Sequence, residues 1–329
     1  MKIFVYNMRE FDELPLFEEY CSRYSVSFDY TTDSPSPDNY GMAFGYDGIS
    51  IITTSTPASM IDAMKAGGVK VISTRTIGYD HIDIEYARKV GMGVCNLTYS
   101  PETVADYTIM MMLVAFRKLP YIMRQSARNN FSLPGKLGRN LSSSTVGVIG
   151  TGRIGECLIR HLSGFGCMIL ANDVYEKEAV RQYAEYTSLD RLLGESDLIP
   201  LHAPALDETC HMINRDTIAK MKEGVIIVNA ARGSLIDTGA LVGGLKSGHI
   251  GFAALDVIEN EFGLYYNDLS ETGLNNKDIA TLRSFDNVFF SPHMAFYTDD
   301  AVSEMVEGSV SGICAFLNGG DFPFIRSGR

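Results

Sequence analysis

The chain has 329 residues, of which 46% are hydrophobic and 21% charged, and its formal net charge at pH 7 is −12. This composition is typical of a folded globular protein with two domains, and it excludes a disordered or fibrous chain. The negative charge disfavours nucleic acids and anionic membranes as partners, since both attract basic surfaces.

No segment has the pattern of a signal peptide or of a membrane span. The longest apolar run, Ile109–Phe116, is too short to cross a bilayer. The six cysteines are scattered and form no CxxC pair, which is typical of small core residues in a reducing compartment. We therefore expect a cytoplasmic protein.

Short apolar runs alternate with helical patterns along the chain. In the first part, strands are predicted at Lys2–Asn7, Gly48–Thr53, Val69–Thr74 and Gly93–Leu97, with a helix at Ala58–Gly68. A second series of strands is predicted at 145–150, 168–173, 197–203, 224–230, 251–257 and 288–293. Short strands that are apolar on both faces and separated by helices indicate buried parallel sheets, so two doubly wound α/β domains are expected.

Two helices are predicted outside these series. The first, Ser100–Pro120, has Pro101 in its first turn and is apolar nearly all round, which predicts that it is buried. The second, Asp299–Gly320, follows the last strand and is expected to return to the first domain. The second series would then be an insertion within the first domain.

A glycine-rich turn opens the second series. Its residues are Gly150, Thr151, Gly152, Arg153, Ile154 and Gly155. A strand precedes this turn and an amphipathic helix follows, as in sites that bind the pyrophosphate of a dinucleotide at a helix N-terminus. Asp173 ends the next strand, where an acid accepts hydrogen bonds from the adenosine ribose. No arginine follows Asp173 directly, which favours NAD over NADP; a plain strand–helix turn with a surface aspartate is the alternative.

Three further polar residues follow apolar strands, namely Arg232, Glu261 and His293. Ligands of α/β sheets bind beyond the carboxyl ends of strands, so these residues can converge there. Hydride transfer to a 2-oxo acid needs a proton donor, for which histidine titrates in the right range, and a carboxylate can orient the imidazole. Arginine offers a planar fork for the substrate carboxylate. The alternatives are a solvated loop histidine, an arginine that caps a helix and a surface glutamate.

The motifs GTGRIG, NAARGSLIDT, ALDVIENE and SPHMAFYT, with the earlier TRTIGYDHID and YSPETVADYT, together resemble the D-2-hydroxyacid dehydrogenases. The resemblance covers essentially the whole chain and is strongest to the D-lactate dehydrogenase branch. It implies a Rossmann-type NAD-binding domain at residues 101–298, inserted in a flavodoxin-like substrate domain at residues 1–100 and 299–329. It also implies a homodimer formed through the NAD-binding domain.

The resemblance assigns roles to individual residues. Arg232 would bind and polarise the substrate, His293 would be the acid/base, and Glu261 would partner the histidine. The backbone amides of Ile77 and Gly78 would hold the substrate carboxylate, and Tyr99 would line the same pocket. Further residues would contact the cofactor: His202, Ala203, Pro204, Ala230 and Asp256.

The sequence constrains the identity of the substrate less than it constrains the catalytic residues. The implied reaction is reduction of pyruvate to D-lactate, but Met294 departs from many relatives. The segment Ser50–Ser55, which would border the substrate side chain, lacks the aromatic residue of some lactate-specific members. Bulkier 2-oxo acids, such as 2-oxoisocaproate, phenylpyruvate or 2-oxoglutarate, are therefore alternatives. An NAD-sensing protein similar to transcriptional corepressors is an alternative of another class. A metal-dependent hydrolase is disfavoured because His202 and His211 form no HExxH motif, and no metal is expected.

Overall fold

The computed structural model describes residues 1–320 except 262, 267 and 275, and the chain divides into two compact units. The first unit is Met1–Ser100 together with the segment that begins at Tyr297, and the second unit is Pro101–Phe296. The second unit is thus inserted into the chain of the first. No helix in the described part of the chain is long and apolar enough to span a membrane.

Elements are numbered in chain order. The strands are β1 Lys2–Val5, β2 Ser27–Tyr30, β3 Gly48–Ile51, β4 Val71–Thr74, β5 Gly93–Cys95, β6 Thr145–Ile149, β7 Met168–Asn172, β8 Glu185–Tyr186, β9 Leu198–Leu201, β10 Val225–Asn229, β11 Ile250–Leu255 and β12 Val288–Phe290. The helices are α1 Leu14–Arg23, α2 Ala58–Ala66, α3 Ile84–Val90, α4 Pro101–Phe116, α5 Leu119–Ala127, α6 Arg153–Leu162, α7 Glu178–Arg181, α8 Leu189–Glu195, α9 Arg215–Ala219, α10 Thr238–Ser247, α11 Lys277–Arg283 and α12 Asp299–Leu317.

Each unit contains a parallel sheet. Within the described residues, the first sheet has the strand order β2-β1-β3-β4-β5 and the second has the order β12-β11-β10-β9-β6-β7-β8. The first order is that of flavodoxin-like folds, and the second is that of Rossmann folds with one added strand. The predicted fold class, two doubly wound parallel-sheet domains, is confirmed.

The core of the second unit lies on both faces of its sheet. Every residue of β9 and β10 is buried, and the two faces pack into separate apolar clusters, one containing Ile227 and the other containing Val228. Adjacent residues of a strand point to opposite faces, so an unbroken apolar run is what a covered parallel sheet requires. This explains why these strands could be predicted from their composition.

The structure differs from the prediction around Pro120. The predicted helix Ser100–Pro120 is two helices, because α4 ends at Phe116 and α5 starts at Leu119. Lys118 lies between them with a left-handed φ of 51°. Proline has no N–H to donate to the carbonyl four residues before it, so α4 cannot continue through Pro120, whereas proline fits the first turn of a new helix.

A buried ion pair organises the first unit. The Arg75 and Glu13 side chains are both 0% exposed, and Arg75 Nε donates to Glu13 Oε1 at 3.0 Å while Nη2 donates to Oε2 at 3.2 Å. Arg75 Nη1 also donates to Ser50 Oγ at 3.0 Å. This guanidinium therefore joins the end of β4, the middle of β3 and the residue that precedes α1.

We predict that Arg75→Met lowers the unfolding free energy of the first unit by about 3–5 kcal/mol, because the buried Glu13 carboxylate loses its bidentate partner and keeps only Arg9, whose Nη2 lies 3.3 Å from Oε1. Urea unfolding measures the change. The control is Arg23→Met, which breaks exposed ion pairs with Glu19 and Glu307 and should cost at most about 1 kcal/mol. The double variant Glu13→Leu/Arg75→Met should recover most of the loss. Equal losses in Arg75→Met and Arg23→Met would contradict the prediction.

Candidate active site

The predicted cofactor and catalytic residues of the second unit lie along one edge of its sheet. Each of them comes at or after the carboxyl end of a strand: the glycine-rich turn after β6, Asp173 after β7, His202 after β9, Arg232 after β10, Asp256 and Glu261 after β11, and His293 after β12. The strand order reverses beside β6, where β7 and β9 lie on opposite sides. Such a switch point is where α/β sheets bind ligands.

The glycine-rich turn has the geometry of a dinucleotide site. Gly150 has φ +92°, and a Cβ there would lie 2.5 Å from the carbonyl carbon of His202. A Cβ on Gly155 would lie 2.0 Å from the oxygen of Gly150. Side chains at either position would therefore break the turn, which leads directly into the N-terminus of α6 at Arg153. The free N–H groups of that terminus suit a pyrophosphate.

Asp173 fixes the turn in addition to its predicted contact with ribose. Its Oδ2 accepts hydrogen bonds from Thr151 N at 2.6 Å and Thr151 Oγ1 at 3.2 Å, and its Oδ1 accepts one from Tyr175 N at 3.0 Å. Thr151 Oγ1 also lies 2.7 Å from the hydroxyl of Tyr186. The carboxylate therefore holds the ends of β6 and β7 together, and Tyr186 is a supporting residue that the sequence did not indicate.

The segment after β9 contributes a neutral histidine. Burial lowers the pKa of His202 to about 4, so the imidazole carries no charge at neutral pH. Its Nε2 is buried and has no hydrogen-bond partner among the described residues. His202 can therefore offer a neutral polar contact, and it cannot balance the charge of a phosphate. Ala203 beside it is buried, and Pro204 is exposed.

The loop that carries Arg232 is held by a buried amide. Asn229, fully buried at the end of β10, donates from Nδ2 to the carbonyl of Arg232 at 2.9 Å and accepts from Ala231 N at 3.1 Å. Arg232 itself is half-buried, and its Nη1 donates to the carbonyl of Ala231 at 2.8 Å. Ala230 is half-buried between them. Asn229 thus fixes the backbone from which the guanidinium extends.

The structure brings Glu261 and His293 into direct contact. His293 Nδ1 lies 2.7 Å from Glu261 Oε1, and the two side chains are 21% and 18% exposed. Because an ionised carboxylate only accepts hydrogen bonds, Nδ1 carries a hydrogen and donates it, which leaves Nε2 as the nitrogen that can exchange a proton. Glu261 Oε2 accepts a hydrogen bond from Ile258 N at 3.2 Å, which orients the carboxylate.

The backbone of His293 depends on Asp256. This aspartate is 0% exposed, and it accepts hydrogen bonds from Ser291 Oγ at 2.6 Å, Met294 N at 2.8 Å and Ala295 N at 2.9 Å. Burial raises the pKa of Asp256, against the effect of these hydrogen bonds. His293 has φ 54°, a left-handed geometry that is uncommon outside glycine and asparagine. Asp256 therefore has a structural role that the sequence did not indicate, and its contact with the cofactor stays a prediction.

Three aromatic rings surround His293. The ring centroids of Tyr265, Tyr266 and Phe296 lie 6.4, 6.5 and 6.3 Å from that of the imidazole. The hydroxyl of Tyr266 also donates to the carbonyl of His293 at 3.1 Å. The paired tyrosines that follow Glu261 are the sequence signal that could have indicated this cluster.

A second carboxylate–histidine pair supports the loop before Glu261. Glu259 Oε1 lies 2.6 Å from His211 Nε2, and Oε2 accepts hydrogen bonds from Thr238 N at 3.0 Å and Thr238 Oγ1 at 2.6 Å. Burial acts to raise the pKa of Glu259, but hydrogen bonds from Thr238 and His211 hold it below its usual value. The hydrogen bond with Glu259 raises the pKa of His211. His211 therefore belongs to the scaffold of the catalytic loop.

The residues predicted to hold the substrate carboxylate lie in the first unit. The carbonyl of Ile77 accepts a hydrogen bond from Asn96 Nδ2 at 2.7 Å, and that of Gly78 accepts one from Thr76 Oγ1 at 2.6 Å. In the described part of the chain, the amides of Ile77 and Gly78 donate no hydrogen bond. Tyr99 is half-buried. The loop thus has the form that capture of a carboxylate by backbone N–H groups would require.

The expectation that Ser50–Ser55 borders the substrate does not hold for its first two residues. Within the predicted pocket segment Ser50–Ser55, Ser50 and Ile51 are fully buried in β3. Ser50 is bonded to Arg75, and Ile51 lies in the apolar core. Only the residues after the strand, from Ile52 onwards, remain able to face a ligand, because a covered parallel strand exposes neither of its faces.

Comparison with known proteins places this geometry in a family. The sequence model described as "D-isomer specific 2-hydroxyacid dehydrogenase, NAD binding domain" matches residues 109–295. An aromatic 2-oxoacid reductase of Clostridium sporogenes is 43% identical over 96% of each chain. A D-lactate dehydrogenase of Lactiplantibacillus plantarum is 35% identical over 97% of each chain. The structure of a D-lactate dehydrogenase from Aquifex aeolicus, complexed with NAD and lactic acid, has a TM-score of 0.86 at 35% identity and covers 96% of both chains.

These matches confirm the resemblance, the oxidoreductase activity and the NAD cofactor that the sequence motifs imply. The turn at Gly150–Gly155 and the acid at Asp173 fit that cofactor on the geometry given above. The chain therefore belongs to the D-isomer-specific 2-hydroxyacid dehydrogenases, NAD-dependent oxidoreductases that act on the CH–OH group of 2-hydroxy acids.

Proposed function

We propose that this enzyme reduces an aromatic 2-oxo acid, such as phenylpyruvate, to the D-2-hydroxy acid, with His293 as the acid/base. The hydrogen bond of 2.7 Å between His293 and Glu261 is the observation that carries the catalytic assignment. Pyruvate, which the sequence motifs favour, is the main alternative substrate.

The chemistry divides between three side chains. Bound NADH supplies the hydride. His293 Nε2 delivers a proton to the carbonyl oxygen of the substrate, and Glu261 stabilises the imidazolium through Nδ1 before that transfer. Arg232 binds the substrate carboxylate with a planar fork and draws electron density from the adjacent carbonyl.

The remaining contacts are those that the sequence resemblance implies, and we propose them as part of the same function. The amides of Ile77 and Gly78 hold the substrate carboxylate, and Tyr99 lines the same pocket. Residues of the glycine-rich turn would hold the cofactor pyrophosphate, Asp173 would hold the adenosine ribose, and the segments His202–Pro204 and Ala230 would flank the cofactor. Asp256 would lie near its nicotinamide end.

Two features support an aromatic substrate. Tyr265, Tyr266 and Phe296 place ring faces and edges around His293, and aromatic side chains bind aromatic ligands by offset or edge contacts. In addition, the relative that is 43% identical is named for aromatic 2-oxo acids, whereas the D-lactate dehydrogenase of L. plantarum is 35% identical. Each buried methylene adds about 0.8 kcal/mol of transfer free energy, so a larger side chain has more to gain.

We also propose a homodimer formed through the NAD-binding domain. The stretch from α5 through the loop after it exposes large apolar side chains: Leu119, Met123, Phe131, Leu133 and Leu137, with Leu137 86% exposed. Lys118 Nζ donates to the carbonyl of Gly135 at 3.3 Å, which holds the loop against the start of α5. An apolar surface of this kind marks a site of association, and a second copy of the chain would cover it.

We propose a cytoplasmic location because the cysteines are reduced. All six are free thiols: Cys21, Cys95, Cys157, Cys167, Cys210 and Cys314. Disulfides are rare in reducing compartments, so free thiols throughout fit the cytoplasm.

The acid/base role is tested with His293→Asn, because asparagine tolerates the left-handed backbone that His293 adopts. Turnover should fall roughly 10²- to 10⁴-fold, with little change in NADH binding. Glu261→Gln should also reduce turnover, because the amide replaces the carboxylate oxygen that accepts the hydrogen bond from His293 Nδ1. The control is His249→Asn, since in the described structure the imidazole of His249 bonds only the carbonyl of Met221. Near-native turnover in His293→Asn would remove His293 from the mechanism.

The substrate is tested by comparing kcat/KM for phenylpyruvate, 2-oxoisocaproate, 2-oxoglutarate and pyruvate with NADH, and by chiral analysis of the products. We expect phenylpyruvate to be preferred and the D isomer to form. Tyr266→Leu should lower the preference for phenylpyruvate over pyruvate roughly two- to twelvefold, the value of one aromatic contact. Tyr266→Phe keeps the ring and should keep the preference. A preference for pyruvate would favour D-lactate dehydrogenase, and formation of the L isomer would contradict the assigned stereochemistry.

The cofactor preference is tested with Asp173→Asn, which keeps an acceptor for Thr151 N and removes the charge. Use of NADPH relative to NADH should rise at least about fivefold, since two unit charges about 4 Å apart repel by about 1 kcal/mol even in water. The ratio of kcat/KM for the two cofactors is the measurement. An unchanged ratio would show that Asp173 does not face the ribose.

A further inference from the structure

A cluster of metal-ligating side chains, none of them assigned to catalysis, lies on α4 and α6. Cys157 and His161 are one helical turn apart on α6, and Cys157 Sγ lies 3.6 Å from His161 Nε2. Residues at positions i and i+4 share one face of a helix, which is the spacing by which the HExxH motif places two zinc ligands. Glu102, in the first turn of α4, brings a carboxylate oxygen to the same place.

The imidazole of His161 is oriented for a ligand. Asp106, one turn after Glu102 on α4, places its Oδ1 2.8 Å from His161 Nδ1. The hydrogen therefore lies on Nδ1 and is donated to the carboxylate, so the lone pair lies on Nε2, the nitrogen nearest Cys157 Sγ. Metal-bound histidines usually donate their second ring nitrogen to a carboxylate in this way, which fixes the ring.

A positive charge already occupies the space between two of these groups. Arg160 Nη2 donates to Glu102 Oε1 at 3.2 Å and to Cys157 Sγ at 3.6 Å. The guanidinium therefore bridges an oxygen and a sulfur that a cation could join. The Arg160 side chain is 54% exposed, so it can turn into solvent when a metal ion takes its place.

The distances fit a tetrahedral ion. Zinc binds sulfur at about 2.3 Å and nitrogen at about 2.0–2.1 Å, which at a tetrahedral angle separates the two ligand atoms by about 3.6 Å. The separation of Sγ and Nε2 is 3.6 Å. All three ligand atoms lie within 4.8 Å of one another, so a small rotation of the exposed Glu102 side chain would complete the set.

We propose that Cys157 Sγ, His161 Nε2 and a carboxylate oxygen of Glu102 bind a zinc ion, with water as the fourth ligand. A donor set of one sulfur, one nitrogen and one oxygen suits Zn²⁺, whereas Mg²⁺ and Ca²⁺ prefer oxygen alone. The sequence indicates no metal here, since Cys-x3-His is a short spacing within one helix and its partners lie on another.

The zinc ion would tie α6 to α4. Cys157 is two residues after Gly155, the last glycine of the turn that leads into α6. The ion would therefore hold the helix whose N-terminus is assigned to the cofactor pyrophosphate. A ligand that binds only the folded chain stabilises it, so zinc should raise the thermal stability of the second unit. The site lies at the N-terminal end of α4, whereas the apolar surface proposed for the dimer begins beyond its C-terminal end.

The test uses the full chain without a histidine tag, reduced and freed of metal with a chelator. Isothermal titration calorimetry with ZnCl₂ should give one Zn²⁺ per chain. A thermal scan with Zn²⁺ present should show a raised Tm. Co²⁺ as a probe should give a thiolate-to-cobalt charge-transfer absorption that Cys157→Ser abolishes. Glu102→Gln and His161→Gln should weaken Zn²⁺ binding at least tenfold, and Asp106→Asn, which acts through His161, should weaken it roughly 10- to 100-fold. Cys210→Ser, which removes an exposed cysteine of the same unit, should bind as the unchanged chain does.

Glu102→Gln and Asp106→Asn change exposed side chains, so they test the zinc site even if Cys157→Ser does not fold. Unchanged NADH binding in both variants shows that the second unit is intact. The proposal is overturned if no Zn²⁺ binds, if binding survives in Glu102→Gln and His161→Gln, or if Cys210→Ser loses it equally.

Discussion

The hydrogen bonds of the buried Asp256 carboxylate are the constraint on which the candidate active site depends. A carboxylate with no exposed surface is costly unless donors surround it, and Ser291, Met294 and Ala295 supply those donors. These bonds fix the segment around His293, which keeps a left-handed backbone that only a tightly held loop sustains. The imidazole then meets Glu261 at the distance of a strong hydrogen bond.

The same principle organises the first unit by a different pairing. Glu13 is as fully buried as Asp256, but its partners are the guanidinium groups of Arg75 and Arg9. Replacing such a pair with apolar residues often costs little stability, whereas removing one partner costs much. What the pair provides is a fixed position for the strands that it joins, since Ser50 and Ser73 of β3 and β4 are linked to Ser309 of α12 through hydroxyl groups beside it.

The sequence by itself determined the fold class, the insertion of one domain into another, and the family. Parallel strands covered on both faces must be apolar throughout, so β9 and β10 can be predicted from their composition. The turn at Gly150–Gly155 can also be predicted from the sequence, because Gly150 must adopt a positive φ beside the backbone of His202, where only glycine fits. By contrast, β8 has only two residues and α5 starts at a proline-induced break, so neither has a periodic pattern to read.

Only the tertiary structure decided which polar side chains meet. His293 and Glu261 are 32 positions apart, and their contact arises because β11 and β12 are neighbours in the sheet. The role of Asp256 as a scaffold, the pairing of Glu259 with His211 and the meeting of Cys157 and His161 with two acids of α4 have no local signature. Composition and periodicity report how each element is covered, whereas a hydrogen bond between side chains depends on where two separate elements are placed, and that is settled by the packing of the whole domain.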